Sequence, residues 1–232
     1  MISLEGKVAV VTGAQGGLGT YVTRAFLESG ASVAGVSRSI GTNDFTHERF
    51  LTVPADLLSA QGARQTLEAT LARFGRIDIL AHLMGGFVGG TTVAETEEDT
   101  FDQMLNLNLR SAFLMARAIV PQMRSQGSGR IIAIGSRAAV ESNSRVAAYS
   151  ASKAALIALM RAIAIENKDR GITANVVLPS TIDTAANRKA MPGTDYTKWI
   201  QPRQLAALIL SLSSDELSQV SGAVIPVYGA EL

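Results

Sequence analysis

The stretch KVAVVTGAQGGLG, from Lys7 to Gly19, decides the architecture. Its first half, Lys7–Thr12, is a short β-branched run without polar alternation, the pattern of a strand buried on both faces. Its second half places Gly13, Gly16, Gly17 and Gly19 around Gln15 and Leu18. Glycines permit a tight turn and let a ligand come close to the backbone. Tyr21–Ser29 then reads as a helix that Gly30 closes as a C-cap. A plain strand-to-helix turn would satisfy this pattern. The placement of the glycines favours more, because a helix N-terminus offers free N–H groups and the positive end of a dipole to a dinucleotide pyrophosphate. No Gly-Lys-Ser/Thr follows, so this is not the phosphate loop of an NTPase.

The alternation continues outward from this loop. Ser32–Ser37, Phe50–Pro54, Ile77–Leu83, Arg130–Gly135, Ile172–Leu178 and Ala223–Val227 read as strands. Ala60–Phe74, Asp99–Ser125 (with a bend expected at Pro121), Ala147–Asp169 and Pro202–Ser213 read as helices. Apolar strands alternating with helices predict an α/β fold with a doubly wound parallel sheet, the Rossmann architecture, as a single domain over 1–232. Ligands of such sheets sit beyond the carboxyl ends of the strands, where strand order reverses. Functional residues should therefore follow strands.

Composition narrows the function. The 232 residues contain no cysteine, which excludes a disulfide scaffold and thiolate chemistry. Lys plus Arg is 21 and Asp plus Glu 20, a balance that argues against a charge-driven nucleic-acid partner. No apolar run is expected to reach the ~18 residues of a membrane span. The start lacks a basic segment followed by an apolar one, so no signal peptide is read. Together these favour a cytoplasmic protein acting on a small-molecule substrate.

Two further places carry chemistry. The end of the second strand reads Val36-Ser37-Arg38-Ser39, with no acid for a ribose 2′-hydroxyl. Arg38, beside Ser37, can instead grip a 2′-phosphate, so NADP(H) is the preferred cofactor and NAD(H) the alternative. Tyr149 and Lys153 open the second long helix at i, i+4 and share a face. A neighbouring ammonium lowers a phenol pKa and would let Tyr149 exchange a proton with a substrate oxygen. Ser136 follows the fifth strand, where a hydroxyl can polarise a carbonyl.

With these residues in view, the chain resembles the short-chain dehydrogenase/reductase family over nearly its whole length. The resemblance rests on Thr12–Gly19, Asn108, Ser136, Tyr149 and Lys153, and on the thirteen-residue spacing from Ser136 to Tyr149. It also rests on Asp56-Leu57 and on Pro179-Ser-Thr-Ile-Asp-Thr184. It implies Tyr149 as acid/base, Lys153 as its partner and a ribose ligand, and Ser136 as carbonyl orienter. Asn108 would hold the long helix and a relay water. Asp56, with Leu57, would meet the adenine, and Ile182 and Thr184, after Pro179, the nicotinamide amide. Gly85 would keep the close approach to the cofactor. It also implies a dimer or tetramer through the two long helices.

Three departures stand out. His82-Leu-Met-Gly85 replaces the family's Asn-Asn-Ala-Gly, Ser180 replaces a glycine, and Ser39–Glu48 leaves little room for a helix. Gly85–Gly90, Leu178–Thr184 and Asn187–Pro192 are locally similar to the dihydropteridine reductases, which implies a flat, quinonoid dihydropteridine substrate as an alternative class. A second function class, a dinucleotide sensor without catalysis, would need the glycine loop but no proton donor.

The remaining readings are structural. His82 ends an apolar strand and reads as a satisfied core histidine. Glu95, Glu97, Glu98 and Asp99 read as helix N-terminal acids. Met104, Met115 and Met123 read as packing. Phe87, Val88, Val140 and Glu141 are expected around the substrate. The segment 185–201, with Tyr196 and Trp199, either packs down its aromatics or serves as a lid.

Overall fold

In the computed structural model, which describes residues 2–231, seven strands form one sheet. They are β1 (Val8–Thr12), β2 (Ser32–Ser37), β3 (Phe50–Pro54), β4 (Ile79–His82), β5 (Gly129–Ile134), β6 (Ile172–Pro179) and β7 (Val224–Val227). Their order is β3-β2-β1-β4-β5-β6-β7, and every pairing is parallel. The order reverses between β1 and β4, where Thr12 lies opposite His82. That reversal opens the crevice in which ligands of such sheets sit.

Each face is covered, which is why the central strands carry no polar alternation. On one face pack α1 (Gly19–Glu28) and α7 (Pro202–Leu212), with Phe26, Leu205 and Ile209 buried among β1 and β4 side chains. On the other lie α2 (Ala60–Phe74), α3 (Glu98–Leu105), α4 (Ser111–Gln126) and α5 (Ala147–Glu166), with Met115, Ile119, Leu156 and Met160 in the core. A short α6 (Ala185–Ala190) follows β6.

The expected strands and helices are present, with ends shifted by a residue or two, and three differences are instructive. The predicted helix 99–125 is two helices joined by a π-helical turn, Asn106–Arg110. The chain runs helically through Pro121, so the irregularity lies at Asn108 and not at the proline. The helix expected over 147–169 stops at Glu166, and Lys168–Arg170 form a separate tight turn ended by Gly171 at φ 68°. As expected from Ser39–Glu48, no helix joins β2 to β3 among the described residues; Ile40 and Phe45 insert into the core, and Phe45 packs tilted against Phe50 at 4.7 Å. Finally, α5 is by length and composition apolar enough to span a membrane, contrary to the sequence expectation. Half of it is buried inside the molecule, against β6 among other elements, as in the core helix of a parallel sheet.

Candidate active site

The first wall of the crevice is backbone. Gly13 has φ 68°, and a Cβ there would meet the Met84 amide at 3.3 Å. At Gly19 a Cβ would fall 2.0 Å from the Gly13 carbonyl, so only glycine lets the loop fold onto itself. No side chain caps the N-terminus of α1, and its first turn holds no acid among the described residues. Gly16 and Gly17 lie exposed beside it. Open N–H groups next to bare backbone fit the pyrophosphate of a dinucleotide. Across from Gly17 stands Thr184, whose methyl would be 2.7 Å from a Cβ at that position. Thr184 caps α6 by accepting from the Asn187 amide, which turns the chain after β6 back over the loop.

At the end of β2, Gln15 accepts from Ser37 and donates to Ser39, both at 2.9 Å. Arg38 is exposed between these serines, with its guanidinium outside this clamp. Asp56 is exposed at the end of β3, and its carboxylate accepts from the Leu58 amide. Two expected cofactor residues present main chain only. Leu57 is buried in the core, and Leu18 is buried under the loop, so each can offer a ligand only its backbone.

The second wall holds the reactive groups. Ser136 follows β5, accepts from the Ala138 amide, and lines the same cavity as Tyr149. One helical turn on, Lys153 is buried and donates to the Ile134 carbonyl at 2.8 Å. Its ammonium is 6.0 Å from the Tyr149 ring centre. The expectation that Lys153 depresses the Tyr149 pKa is not met in this arrangement. Burial pushes the phenol up, opposed by the Ser136 hydroxyl. Burial also lowers Lys153 to about 8. The ring of Phe87 stands edge-on to Tyr149 at 4.9 Å.

Asn108 explains the π-helical turn. The extra residue projects its amide onto the loop after β4. It accepts from the Gly86 amide at 2.9 Å and donates to the Gly86 carbonyl at 3.0 Å. It also donates to Ser152, which in turn donates to the Tyr149 carbonyl. Gly85 leaves room for this, because a Cβ there would lie 2.8 Å from the Asn108 oxygen and 3.1 Å from the Lys153 nitrogen. Gly86 and Ser152 were missed in the sequence reading. The i+3 position of Ser152 after Tyr149 was a signal for the second.

Tyr149, Ser136, Lys153, Gly85, Pro179 and Ile182 thus line one cavity of about 820 Å³, with Phe87, Glu141 and Met191 at its outer side. Val140 is exposed nearby in sequence but is not among the lining residues. Trp199 does not sit at an exposed tip, as the lid expectation had it. It is 4% exposed and stacks on Tyr196 at 4.7 Å. Arg188 covers Tyr196 and is held by Asp183, whose carboxyl the guanidinium and Gln201 keep down at about 2. Most of the segment is exposed, including 191–195 around Pro192-Gly193, and only Trp199 and Ile200 are buried.

A dinucleotide-type loop facing a Tyr-Lys-Ser-Asn cluster across a sheet reversal defines a nicotinamide-dependent oxidoreductase. The family model described as short chain dehydrogenase matches residues 7–195, and the chain belongs to that family. The D-threitol dehydrogenase of Mycolicibacterium smegmatis is 32% identical over 97% of this chain and 93% of its own. The 3-oxoacyl-(acyl-carrier-protein) reductase of Salmonella typhimurium is 31% identical over 98% of both. The solved 3-ketoacyl-(acyl-carrier-protein) reductase from Brucella melitensis, complexed with NADH, superposes with a TM-score of 0.89. It is 27% identical and covers 99% of this chain and 100% of that one.

Proposed function

We propose that this oxidoreductase moves hydride between NADP(H) and a carbonyl/alcohol pair of a small substrate, with Tyr149 as the acid/base. The observation that carries the reading is that Ser136, Tyr149 and Lys153 line one cavity at the carboxyl end of the sheet. The bound nicotinamide supplies or accepts the hydride. Ser136 and Tyr149 then present two hydroxyls to one substrate oxygen, and Tyr149 gives or takes its proton. Lys153 holds the ribose side of the cofactor. Thr184, Ile182 and Gly85 enclose the nicotinamide, and Asp56 with the Leu57 backbone meets the adenine.

Preference for NADP(H) over NAD(H) rests on the exposed Arg38 and the absence of an acid at the end of β2. The segment 191–195 serves as the moving part of a substrate lid, its base fixed by Trp199. Exposed Phe101, Phe113 and Ile165 on α3, α4 and α5 support a homo-oligomer through those helices.

The test is Tyr149→Phe, which removes the proton and keeps the ring against Phe87. Turnover in an NADPH-oxidation screen of ketones and quinones should fall at least ~100-fold, with NADPH affinity nearly unchanged. Lys153→Ala should lower both. A Tyr149→Phe enzyme with near-normal turnover would remove Tyr149 from the chemistry.

A further inference from the structure

Among the described residues, His82 is the buried titratable group near the crevice that the mechanism above leaves idle. It ends β4 at the sheet reversal and is 3% exposed. Both ring nitrogens are engaged: Nδ1 with the Thr12 hydroxyl and Nε2 with the Ser111 hydroxyl, each at 3.2 Å. Thr12 belongs to the start of the glycine loop, whereas Ser111 closes the π-helical turn that carries Asn108.

The direction of these bonds follows from the other partners of the two hydroxyls. Thr12 Oγ1 already accepts from the Leu83 and Met84 amides, both at 3.1 Å. Its two lone pairs are used, so its hydrogen is left for Nδ1. Ser111 donates to the Leu107 carbonyl at 2.7 Å, so it accepts from Nε2–H. The result is one directional chain from Thr12 through His82 and Ser111 to Leu107. It keeps His82 neutral with its proton on Nε2. Burial and the Lys153 charge act in the same sense and hold its pKa at about 3.

The chain spans elements that the chemistry needs in register. At one end Thr12 holds the amides of Leu83 and Met84, directly before Gly85. At the other end the turn closed by Ser111 holds Asn108, which clamps Gly86 by both its N–H and its C=O. The loop 83–86 is therefore gripped from two sides, and His82 sets the distance between the grips.

We propose that His82 is a positioning residue that couples the glycine loop to the Asn108 turn, so that dinucleotide binding and the alignment of Gly85, Gly86 and Tyr149 are linked through Thr12–His82–Ser111. The proposal rests on the reading that a nicotinamide dinucleotide occupies the glycine loop.

Ser111→Ala tests it, because Ser111 contacts neither the loop nor the cavity yet closes the chain at its far end. One lost hydrogen bond predicts a rise of about three- to tenfold in the NADPH dissociation constant, and a comparable fall in kcat. His82→Asn keeps an acceptor near the Nδ1 position and His82→Gln a donor near Nε2, so each retains one half of the chain. Each should show the same combined loss as Ser111→Ala, and combining Ser111→Ala with His82→Asn should add little more, because the chain is already cut. Should Ser111→Ala lower only the melting temperature, with NADPH affinity and kcat at wild-type values, His82 is structural packing and the proposal falls. If either His82 variant fails to fold, Ser111→Ala decides. Wild-type protein that binds neither NADPH nor NADH in calorimetry would overturn the cofactor reading instead.

Discussion

Around Gly13–Gly19 the crevice is walled by main chain: glycines packed on one another, an uncapped helix end, and the amides of Leu83, Met84 and Gly86 held by Thr12 and Asn108. Around 185–201 it is walled by side chains latched to one another, Asp183 on Arg188, Arg188 over Tyr196, and Tyr196 on Trp199. The first construction tolerates almost no change of residue, since the space for a Cβ is missing. The second can exchange members while keeping its outline. A shared cofactor and a variable substrate would call for this division.

Predictions that probe the contrast begin on the main-chain side. Gly19→Ala puts a methyl 2.0 Å from the Gly13 carbonyl, and the loop must open to accept it. Dinucleotide affinity measured by calorimetry should fall by more than ~100-fold, the scale of severe backbone displacement. Unchanged binding would show that the loop is less tightly closed than its packing requires.

Beneath this wall, His82 makes stability depend on pH. Its folded pKa of about 3 lies below the ordinary 6.5, so the unfolded chain binds the extra proton between these values. Stability is complete above about pH 6.5 and declines as pH falls. From pH 6.5 to 4.5 the decline amounts to roughly 2 to 3 kcal/mol. Urea titrations at the two pH values measure it, and His82→Asn should flatten the difference.

At the rim the wall gives way to a side chain, Arg38. Arg38→Ala should weaken NADPH about ten- to a hundredfold, the size of one charge-assisted contact, and leave NADH nearly unaffected. Equal losses for both cofactors would mean that Arg38 only shapes the loop. The smallest effect belongs to the side-chain wall. Gly193 has φ 77° and nothing within 4 Å of a Cβ. Gly193→Ala should cost about 1 kcal/mol of stability in a melt and leave NADPH affinity unchanged.

The same contrast explains what could be read in advance. Glycines at 13, 16, 17 and 19 announce the main-chain wall because Gly13 takes a left-handed backbone and a Cβ at Gly19 would meet the Gly13 carbonyl, and the strands around them are continuous apolar runs. Tyr149, Lys153 and Ser136 were legible because their spacing lies within one helix or one strand end. The π-helical turn was not, since nothing local in Leu105–Arg110 marks an extra residue; its cause is Gly86, 22 positions away in sequence from Asn108. The Tyr149 pKa was misjudged for a similar reason. Helical spacing brings Lys153 near, but burial and the Ile134 carbonyl, which the spacing does not reveal, decide where its charge goes. Trp199 looked like a lid residue because a lone aromatic in a loop gives no sign of what lies beneath it.

The strand order also sets a timetable. The six strand pairings among the described residues are all parallel, so each joins segments distant in sequence, and Thr12 meets Leu83 and Met84 only across 71 and 72 positions. A chain emerging from the ribosome therefore completes β1 and the glycine loop long before the floor beneath them exists. Such topologies fold slowly, because distant segments must be brought together before they are rewarded. A dinucleotide added during refolding should bind only after β4 has docked beside β1, and so should stabilise the finished protein without hastening its formation.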